Sequence, residues 1–272
     1  MKFVEKQRVV SLLRHLRILP LAEQGRYLWE VMRKRRSNEA IVRANPEKPF
    51  PPYRLLYETT SGVDYPLFYE VGRQLADHIH KLASSHVEGK LSSICEWGCG
   101  LGRVIMHMPQ LSRPEELQAF GTDYNESAIA WAKAHLPEVD FRPNQLEPPL
   151  PFEENHFDCL YSTSVYTHLS EKAHYDWLKE NLRVVRPGGV VIMTTHGDAF
   201  AEKLLPKERA QYDAGQLVVR GSMKEGSRLF CAFHSPRFMR DVFLRDLKVL
   251  LHEPSPDFAV MGGQDVWVVS KQ

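Results

Sequence analysis

The chain of 272 residues is long enough to bury a full hydrophobic core, and 43% hydrophobic with 25% charged residues is the composition of an ordinary globular protein. A net charge of +1 excludes the general attraction to nucleic acid or membranes that a large excess of one sign would give. The charge is unevenly placed, because residues 1–45 hold eleven Lys or Arg against four Glu, a charge of +7, whereas the remainder holds 24 against 30, a charge of −6.

Signal sequences, membrane spans and cysteine frameworks all lack support in the residue pattern. The opening "MKFVEKQRVV" has no apolar core of the length that a secretory signal needs, and no run approaches the ~18 apolar residues of a membrane span. We therefore expect a cytoplasmic protein. The four cysteines are too sparse for a disulfide framework and none stands at C-x-x-C spacing, so we expect reduced thiols and no metal site.

The front of the chain is predicted to be helical and basic. Apolar residues recur at three- and four-residue steps from Phe3 to Leu19, a second helix is predicted over Glu23–Arg36, and the proline-rich "NPEKPFPPYRLL" is predicted to be extended. Residues 1–65 are thus predicted to form a helical cap or extension. Its basic residues could touch an acidic surface, a nucleic acid or a phosphate-bearing substrate, although a solvated helix face is the favoured interpretation.

From Pro66 onward, a helix to about Ser85 is followed by short apolar runs that alternate with amphipathic stretches, which is typical of an α/β domain. We predict one such domain over residues 66–272. The predicted strands are Ser92–Glu96, Ala119–Asp123, Val139–Arg142, Phe157–Ser162, Val190–Thr195, Lys248–His252 and Val266–Ser270. The predicted helices between the first five strands are Gly102–Met108, Asn125–His135 and Glu171–Val185.

The stretch "ICEWGCGLGR" places three glycines at alternate positions directly after the first of these strands. The chain must reverse there into a helix while its backbone stays open to a ligand, and glycine supplies both the conformational freedom and the room. The unpaired N–H groups at the helix start favour an anionic group such as a carboxylate or phosphate. A tight strand-to-helix turn without a ligand would use the same residues, so the loop alone does not decide.

Two cofactor classes compete for this loop. A dinucleotide site has G-x-G-x-x-G with its acid about twenty residues later, whereas this loop reads Glu-x-Gly-x-Gly-x-Gly. Glu96 would repel a pyrophosphate but attract an α-amino group and a sulfonium. S-adenosyl-L-methionine carries both cations beside a carboxylate, and the spacing favours it over NAD.

A second acidic position follows the next predicted strand, in "FGTDYN". Asp123 stands where a carboxylate accepts hydrogen bonds from both ribose hydroxyls, and Tyr124 offers a flat face for an adenine. One strand after the glycine loop, the pair strengthens the prediction of a nucleoside site.

Four segments in order, "EWGCGLG", "GTDYN", "LPFEENHFDCLYSTSVYTHLS" and "LRVVRPGGVVIMTTHG", resemble class I S-adenosylmethionine-dependent methyltransferases, and among them the bacterial small-molecule kind classed as methyltransferase types 11, 12 and 25. The resemblance spans about Ile94 to Gly197. It implies a Rossmann-like, mostly parallel sheet of seven strands in the order 3-2-1-4-5-7-6, with helices on both faces and the last strand antiparallel.

The resemblance also implies roles for particular residues. It places Asp123 at the ribose, Tyr124 at the adenine and Ser162 near the reactive methyl. Members commonly carry an Asp after the third strand for the adenine amino group, whereas this chain reads "RPNQLEPPLPF", so that amide and apolar side chains would replace it. The implied contacts to the methionyl part are Glu96, Gly98, Gly100 and Gly102, and those to the adenine edge are Asn144, Gln145 and Leu146.

Methyl transfer is an in-line attack on a sulfonium, so an enzyme gains from aligning the nucleophile and, for a hydroxyl, from removing its proton. Two histidines stand after predicted strands four and five, and His168 and His196 are the candidate bases. A purely structural role in the cofactor pocket remains open for His168, and the same holds for the isolated His234. The long stretch at about 198–235, with a helix predicted over 199–212 and a hairpin over 216–233, is predicted to face the substrate.

The resulting prediction is a methyltransferase that uses S-adenosylmethionine to methylate an oxygen of a small molecule or glycan with histidine assistance. Nucleic acid is disfavoured because "STSV" stands where base-amine methyltransferases of this class carry Asn-Pro-Pro-Tyr or Asp-Pro-Pro-Tyr. An NAD-dependent oxidoreductase and a non-catalytic cofactor-binding partner protein are the two alternatives. Oligomeric state, acceptor and pathway stay open.

Overall fold

The structure is a computed structural model that describes residues 19–111, 116–221, 223–227, 229–255 and 261–272, so that nearly all of the helix predicted over 3–19 lies outside the described residues. None of the helices in these ranges has the length and apolar character needed to cross a membrane. The α-helices are α1 Leu19–Ala44, α2 Tyr53–Thr60, α3 Tyr65–His86, α4 Met108–Leu111, α5 Glu126–His135, α6 Glu171–Val184, α7 Pro206–Asp213 and α8 Pro236–Phe238. Shorter turns of 3₁₀ type are Ile105–His107, Tyr166–His168 and Asp198–Lys203, and Met239–Phe243 is a π-helical turn.

The strands form one large sheet and one small hairpin. They are β1 Ser93–Trp97, β2 Gln118–Asp123, β3 Val139–Pro143, β4 Phe157–Ser162, β5 Val185–Thr195, β6 Val218–Arg220, β7 Cys231–Phe233, β8 Lys248–Glu253 and β9 Asp265–Ser270. The seven-stranded sheet has the order β3-β2-β1-β4-β5-β9-β8. Strands β1 to β5 pair in parallel, and β9 is antiparallel to both β5 and β8. Counted within the sheet this is the order 3-2-1-4-5-7-6, so the predicted fold is confirmed.

The central strands are apolar because both faces of the sheet are covered. Alternate residues point to opposite faces, so that Ile94 joins a core with α3 and α5, whereas Cys95 joins a core with α6. All six residues of β4 are buried. The helices thus leave only the strand ends open, and the carboxyl ends of β1, β2 and β4 meet at one edge.

The segment before the sheet differs from the prediction in two respects. A single helix, α1, replaces the predicted Glu23–Arg36 and continues to Ala44. The predicted extended segment is helical from Tyr53, because Pro52 occupies the cap position, where its missing N–H removes no helical hydrogen bond. The buried Asn38 joins α1 to the start of α3, donating to the Val63 carbonyl oxygen at 2.5 Å and accepting from the Tyr65 amide at 3.1 Å.

The long stretch between β5 and β8 contains the predicted helix and hairpin in shortened form. The helix predicted over 199–212 is a 3₁₀ turn followed by α7, which restarts at Pro206. The hairpin predicted over 216–233 pairs only three residues on each side, β6 with β7. Both pack on a small separate core that includes Phe200, Tyr212 and Phe233.

Candidate functional site

A cavity of about 200 Å³ opens at the edge where β1, β2 and β4 end. We call it the first cavity. The sequence-predicted residues in its wall are Glu96, Gly98, Gly100, Asp123, Tyr124, Asn144, Gln145, Leu146 and His168. The predicted Gly102, Ser162 and His196 do not line it.

The glycine loop follows β1 in left-handed backbone conformation, with φ of +77° at Gly98, +53° at Gly100 and +75° at Gly102. A Cβ on Gly98 would lie 2.3 Å from Val165 Cγ2, so the loop approaches the end of β4 closely. Gly102 serves packing instead, because a Cβ there would lie 2.8 Å from Cζ of Phe141. Two of the three glycines therefore form the cavity wall, and the third allows the loop to pack on the sheet.

Glu96 is almost fully buried at the base of the first cavity. Its Oε2 accepts hydrogen bonds from the Ile105 amide at 3.0 Å and from the Tyr161 hydroxyl at 3.1 Å. Burial raises the pKa of this carboxyl to about 8, although the two hydrogen bonds oppose the change. The sequence predicts a standing negative charge here, whereas the buried group is mostly protonated at neutral pH until a cation enters beside it.

Asp123 connects the glycine loop to the next helix. Its Oδ2 accepts from the Gly100 amide and its Oδ1 from the Asn125 amide, both at 2.8 Å. Asn125 in turn caps α5 through the Ala128 amide at 3.1 Å. Burial raises the pKa of Asp123. Each carboxylate oxygen keeps a second lone pair that can accept from a ribose hydroxyl.

Tyr124 stands at the far end of the first cavity with 40% of its surface exposed. Its hydroxyl donates to the carbonyl oxygen of Gly226 at 3.1 Å, and the Gly226 amide donates to the His168 carbonyl oxygen at 2.9 Å. The stretch between β5 and β8 thus reaches across the cavity and holds the tyrosine ring against it.

Of the two amides expected at the adenine edge, the structure favours Gln145. Asn144 is buried and already bonded, since its Oδ1 accepts from Thr122 Oγ1 at 2.8 Å and its Nδ2 donates to the Gln145 carbonyl oxygen at 2.5 Å. The Gln145 side chain is exposed in the wall. It can therefore turn its amide oxygen toward an amino group without breaking an existing bond.

At the end of β4 the wall is formed by the residues after Ser162. Ser162 is buried, and its hydroxyl finds no hydrogen-bond partner among the described residues. Ser164 has a positive φ of 62° and belongs to a ring of three side chains. Its amide donates to Thr194 Oγ1 at 2.8 Å, Thr194 donates to Gln264 Oε1 at 2.7 Å, and Gln264 Nε2 donates to Ser164 Oγ at 2.6 Å. This ring ties the β4 loop to β5 and to the start of β9.

The two candidate bases differ in position. His168 lines the first cavity, and its Nδ1 lies 2.7 Å from the Phe230 carbonyl oxygen. Since a carbonyl only accepts, Nδ1 carries the proton and Nε2 is the basic nitrogen of neutral His168. His196 bonds the Ala232 carbonyl oxygen at 3.1 Å and stacks on Phe200 with ring centroids 4.1 Å apart, and burial lowers its pKa to about 3. The structure brings His168 to the site and keeps His196 out of its wall.

His234 is structural in this arrangement. It is buried, and its Nε2 lies 2.7 Å from Nε2 of His174, whose Nδ1 bonds the Ser170 carbonyl oxygen at 2.7 Å. His174 must therefore accept and His234 donate. Burial lowers the pKa of His174 to about 4 and that of His234 well below its usual range. Both rings are neutral at physiological pH.

Residues from α2 line the first cavity, although this segment was predicted to be extended. They are Glu58, Thr59 and Thr60. Thr59 packs against the glycine loop, since a Cβ on Gly100 would lie 3.0 Å from its Cγ2. The helical extension thus contributes directly to the site.

A second cavity of about 230 Å³ adjoins the first. The two share Arg103, Thr163 and Ser164 in their walls. The rest of the second cavity is lined by Leu67, Val71, Leu75, Thr194, Met261, Gly262 and Gln264. One side of it is an aliphatic surface of α3.

Comparison with known proteins connects this geometry to a chemistry. A family model described as a methyltransferase domain matches residues 95–193, which include the glycine loop, Asp123 and His168. This region is a class I S-adenosylmethionine-dependent methyltransferase domain. A probable S-adenosylmethionine-dependent methyltransferase of Mycolicibacterium smegmatis is 32% identical over 102 residues, which are 38% of this chain and 37% of that protein. The tRNA N(3)-methylcytidine methyltransferase Mettl2 of Drosophila melanogaster is 30% identical over 112 residues, which are 39% of this chain and 34% of that protein.

The chain spans only about a third of the length of these curated relatives. Known structures share the fold of the methyltransferase domain at low sequence identity. DesVI of Streptomyces venezuelae is 17% identical with a TM-score of 0.54, covering 76% of this chain and 97% of that one. The magnesium protoporphyrin IX methyltransferase of Synechocystis PCC 6803, described with bound S-adenosylhomocysteine, is 17% identical with a TM-score of 0.53, covering 81% and 93%. Between the two cofactor classes, the family match supports S-adenosylmethionine and gives NAD no support.

In this methyltransferase domain, the residues present fit the cofactor. Glu96 can ionise beside an ammonium group, Asp123 keeps free lone pairs for a ribose, and Tyr124 and Gln145 offer a ring face and an amide at the adenine end. Sequence reasoning did not single out Arg103, although it ends the quoted glycine stretch. A cation directly after the third glycine was the available signal.

Proposed function

We propose that this protein is an enzyme that transfers the methyl group of S-adenosylmethionine to an oxygen atom of a small molecule or glycan. The observation that carries the proposal is the pair of adjoining cavities, which share a wall at Thr163 and Ser164. The first is lined by most of the predicted cofactor contacts, and the second is an adjoining space that could take an acceptor.

Holding two reactants in line accounts for a large share of catalysis in such a transfer, since a well-oriented pair gains about 7–11 kcal/mol over free encounter. The rigid ring of Ser164, Thr194 and Gln264 supports this role, because it fixes the loop that both cavities share. For a hydroxyl acceptor, His168 is the candidate base through Nε2. His196 is left with a packing role.

Two features support a small acceptor over nucleic acid. The second cavity, at about 230 Å³, is below the roughly 300–1,000 Å³ of pockets for drug-sized ligands. In α1, much of the basic charge is already paired within the chain. Arg33 lies 2.9 Å from Glu30, and Arg35 lies 2.8 Å from Glu39. Lys34 pairs with Asp64, the residue that caps α3. Paired charges attract phosphates less.

The test of cofactor use is calorimetric titration of S-adenosylhomocysteine into the wild type, Asp123→Ala and the control Asp140→Ala. Asp140 lies on β3 and pairs with Arg142, away from the first cavity. We expect Asp123→Ala to weaken binding about 10- to 100-fold, the usual loss for hydrogen bonds to a charged group. No binding by the wild type, or equal loss in both variants, would reject the assignment.

Catalysis itself is tested by the release of S-adenosylhomocysteine from S-adenosylmethionine across a panel of hydroxyl and carboxyl compounds. Release with at least one acceptor is expected. A protein that binds the cofactor and never turns it over would be a non-catalytic partner protein instead.

A further inference from the structure

Arg103 occupies a distinctive position between the two cavities, and its side chain lines both. Its backbone is pressed against α3, since a Cβ on Gly72 would lie 2.2 Å from the Arg103 carbonyl oxygen. The close approach fixes where the side chain begins. Gly72 thus helps to hold a guanidinium at the junction.

The guanidinium has no hydrogen bond or ion pair with any of the described residues. The nearby Glu96 carboxyl contributes a favourable charge, but its Oε2 is bonded to Tyr161 and Ile105, and it forms no hydrogen bond or ion pair with the guanidinium. Partial burial lowers the pKa of Arg103, because the cation is less well hydrated there than in water. Such a group is stabilised by an anion from outside the chain.

The surroundings indicate the shape of that anion. On the side of the second cavity, Leu67, Val71 and Leu75 present one aliphatic face of α3. Thr163 and Ser164 belong to the walls of both cavities, so the junction is the place where a ligand of the second cavity comes nearest to the first. An anionic head at Arg103 with an apolar body along α3 fits this arrangement.

Resting on the proposed function, we propose that the methyl acceptor is a carboxylic acid whose carboxylate pairs with Arg103 at the junction of the two cavities and whose hydrocarbon body lies along Leu67, Val71 and Leu75. The product is a methyl ester.

The chemistry balances without a catalytic base. A carboxylate oxygen forms a bond to the methyl carbon, and the bond between that carbon and sulfur breaks with its electron pair going to sulfur. The cationic sulfonium becomes a neutral thioether, the anionic carboxylate becomes a neutral ester, and no proton moves. A transfer without a base agrees with the position of His196, which lines neither cavity. His168 then serves to shape the first cavity.

The test uses the full chain saturated with S-adenosylhomocysteine and three probes of equal length, octanoate, 1-octanol and octylammonium, titrated by calorimetry. We expect octanoate to bind at least about 10-fold more tightly than either of the others. Arg103→Met, which keeps an apolar stem of similar length, should remove about 10- to 100-fold of octanoate affinity and abolish the preference. The matched control is Arg73→Met, because Arg73 lies exposed on α3, lines neither cavity and pairs with Asp77 at 3.0 Å.

Turnover is measured with straight-chain acids and the matching alcohols as acceptors. Methyl esters from the acids support the proposal, whereas methyl ethers alone or no product overturn it. It is also overturned if the wild type binds octanoate no better than octanol, a comparison that needs no variant. Loss of S-adenosylhomocysteine affinity in Arg103→Met with octanoate binding intact would assign the guanidinium to the cofactor and overturn it too. Failure of the wild type to bind S-adenosylhomocysteine is a separate result, which rejects the proposed function itself.

Discussion

The raised pKa of Glu96 makes cofactor binding depend on pH. In the empty first cavity the carboxyl has a pKa of about 8 because it is buried. Pairing with the α-ammonium group of the cofactor requires the ionised form, so binding must expel a proton from Glu96 at lower pH. Affinity for S-adenosylhomocysteine should therefore rise as the pH rises toward 8.

The size of the effect follows from the fraction of each partner that is in the competent form. With a pKa of about 8, about 1% of Glu96 is ionised at pH 6, about 10% at pH 7 and about half at pH 8. The α-amino group of the ligand stays protonated over this range, because the carboxylate of the same amino acid raises its pKa above that of a chain terminus. The ionised fractions of Glu96 therefore predict that the Kd falls about ninefold from pH 6 to pH 7 and about fivefold more to pH 8.

Calorimetry at these pH values gives the Kd, and repeating it in buffers of different ionisation heat gives the proton released on binding. The matched control ligand is 5′-methylthioadenosine, which keeps the adenine and ribose but lacks the amino-acid part, so its Kd should stay level. Glu96→Gln should bind S-adenosylhomocysteine without the slope. A wild-type Kd that does not change from pH 6 to pH 7 would refute the reasoning, and an equal slope with 5′-methylthioadenosine would assign the proton to Asp123.

Two further predictions concern stability. Gly102→Ala should lower the free energy of unfolding by about 2–4 kcal/mol, because the backbone at Gly102 is left-handed and the new Cβ would meet Phe141. In the control Gly62→Ala, the new Cβ has nothing within 4 Å, and the change should be less than about 1 kcal/mol. Equal losses for the two variants in urea denaturation would contradict this. The buried pair of His174 and His234 has lowered pKa values, so the unfolded chain binds protons that the folded chain does not, and stability should fall as the pH falls from about 6.5 toward 4. Between pH 7 and pH 5, the unfolding free energy of His174→Phe should fall by about 2 kcal/mol less than that of the wild type. An equal fall in the two proteins would refute the role of the pair.

The sheet could be predicted from the sequence because its strands are short apolar runs with turn-forming residues at both ends. The predicted β4, Phe157–Ser162, agrees residue for residue, and the glycine loop and Asp123 fall where expected. The order of the strands came from a resemblance to a family and not from periodicity. The start of β5 was missed by five residues, because Pro187, Gly188 and Gly189 favour a turn. Gly188 does have a positive φ of 75°, and Val185 pairs with Phe157 ahead of an irregularity that ends where Val190 pairs with Cys159.

The site could be predicted only in the parts that belong to strand ends. Helix α2 follows two prolines, which predict an extended chain, and its threonines enter the first cavity only through tertiary packing. Arg103 looked like any basic residue at a helix start, since burial and lack of a partner are properties of the fold. Ser162 is buried outside the wall of the first cavity, whereas the following Thr163 lines it, because side chains at the end of a strand alternate between the two faces.

The contact of Tyr124 with Gly226 bears on the order of events in a catalytic cycle. The tyrosine hydroxyl bonds the stretch between β5 and β8, and the same glycine bonds the backbone of His168. We therefore expect a nucleoside that lies against Tyr124 to leave more readily when this clasp opens. Cofactor exchange and movement of the stretch between β5 and β8 should then be coupled.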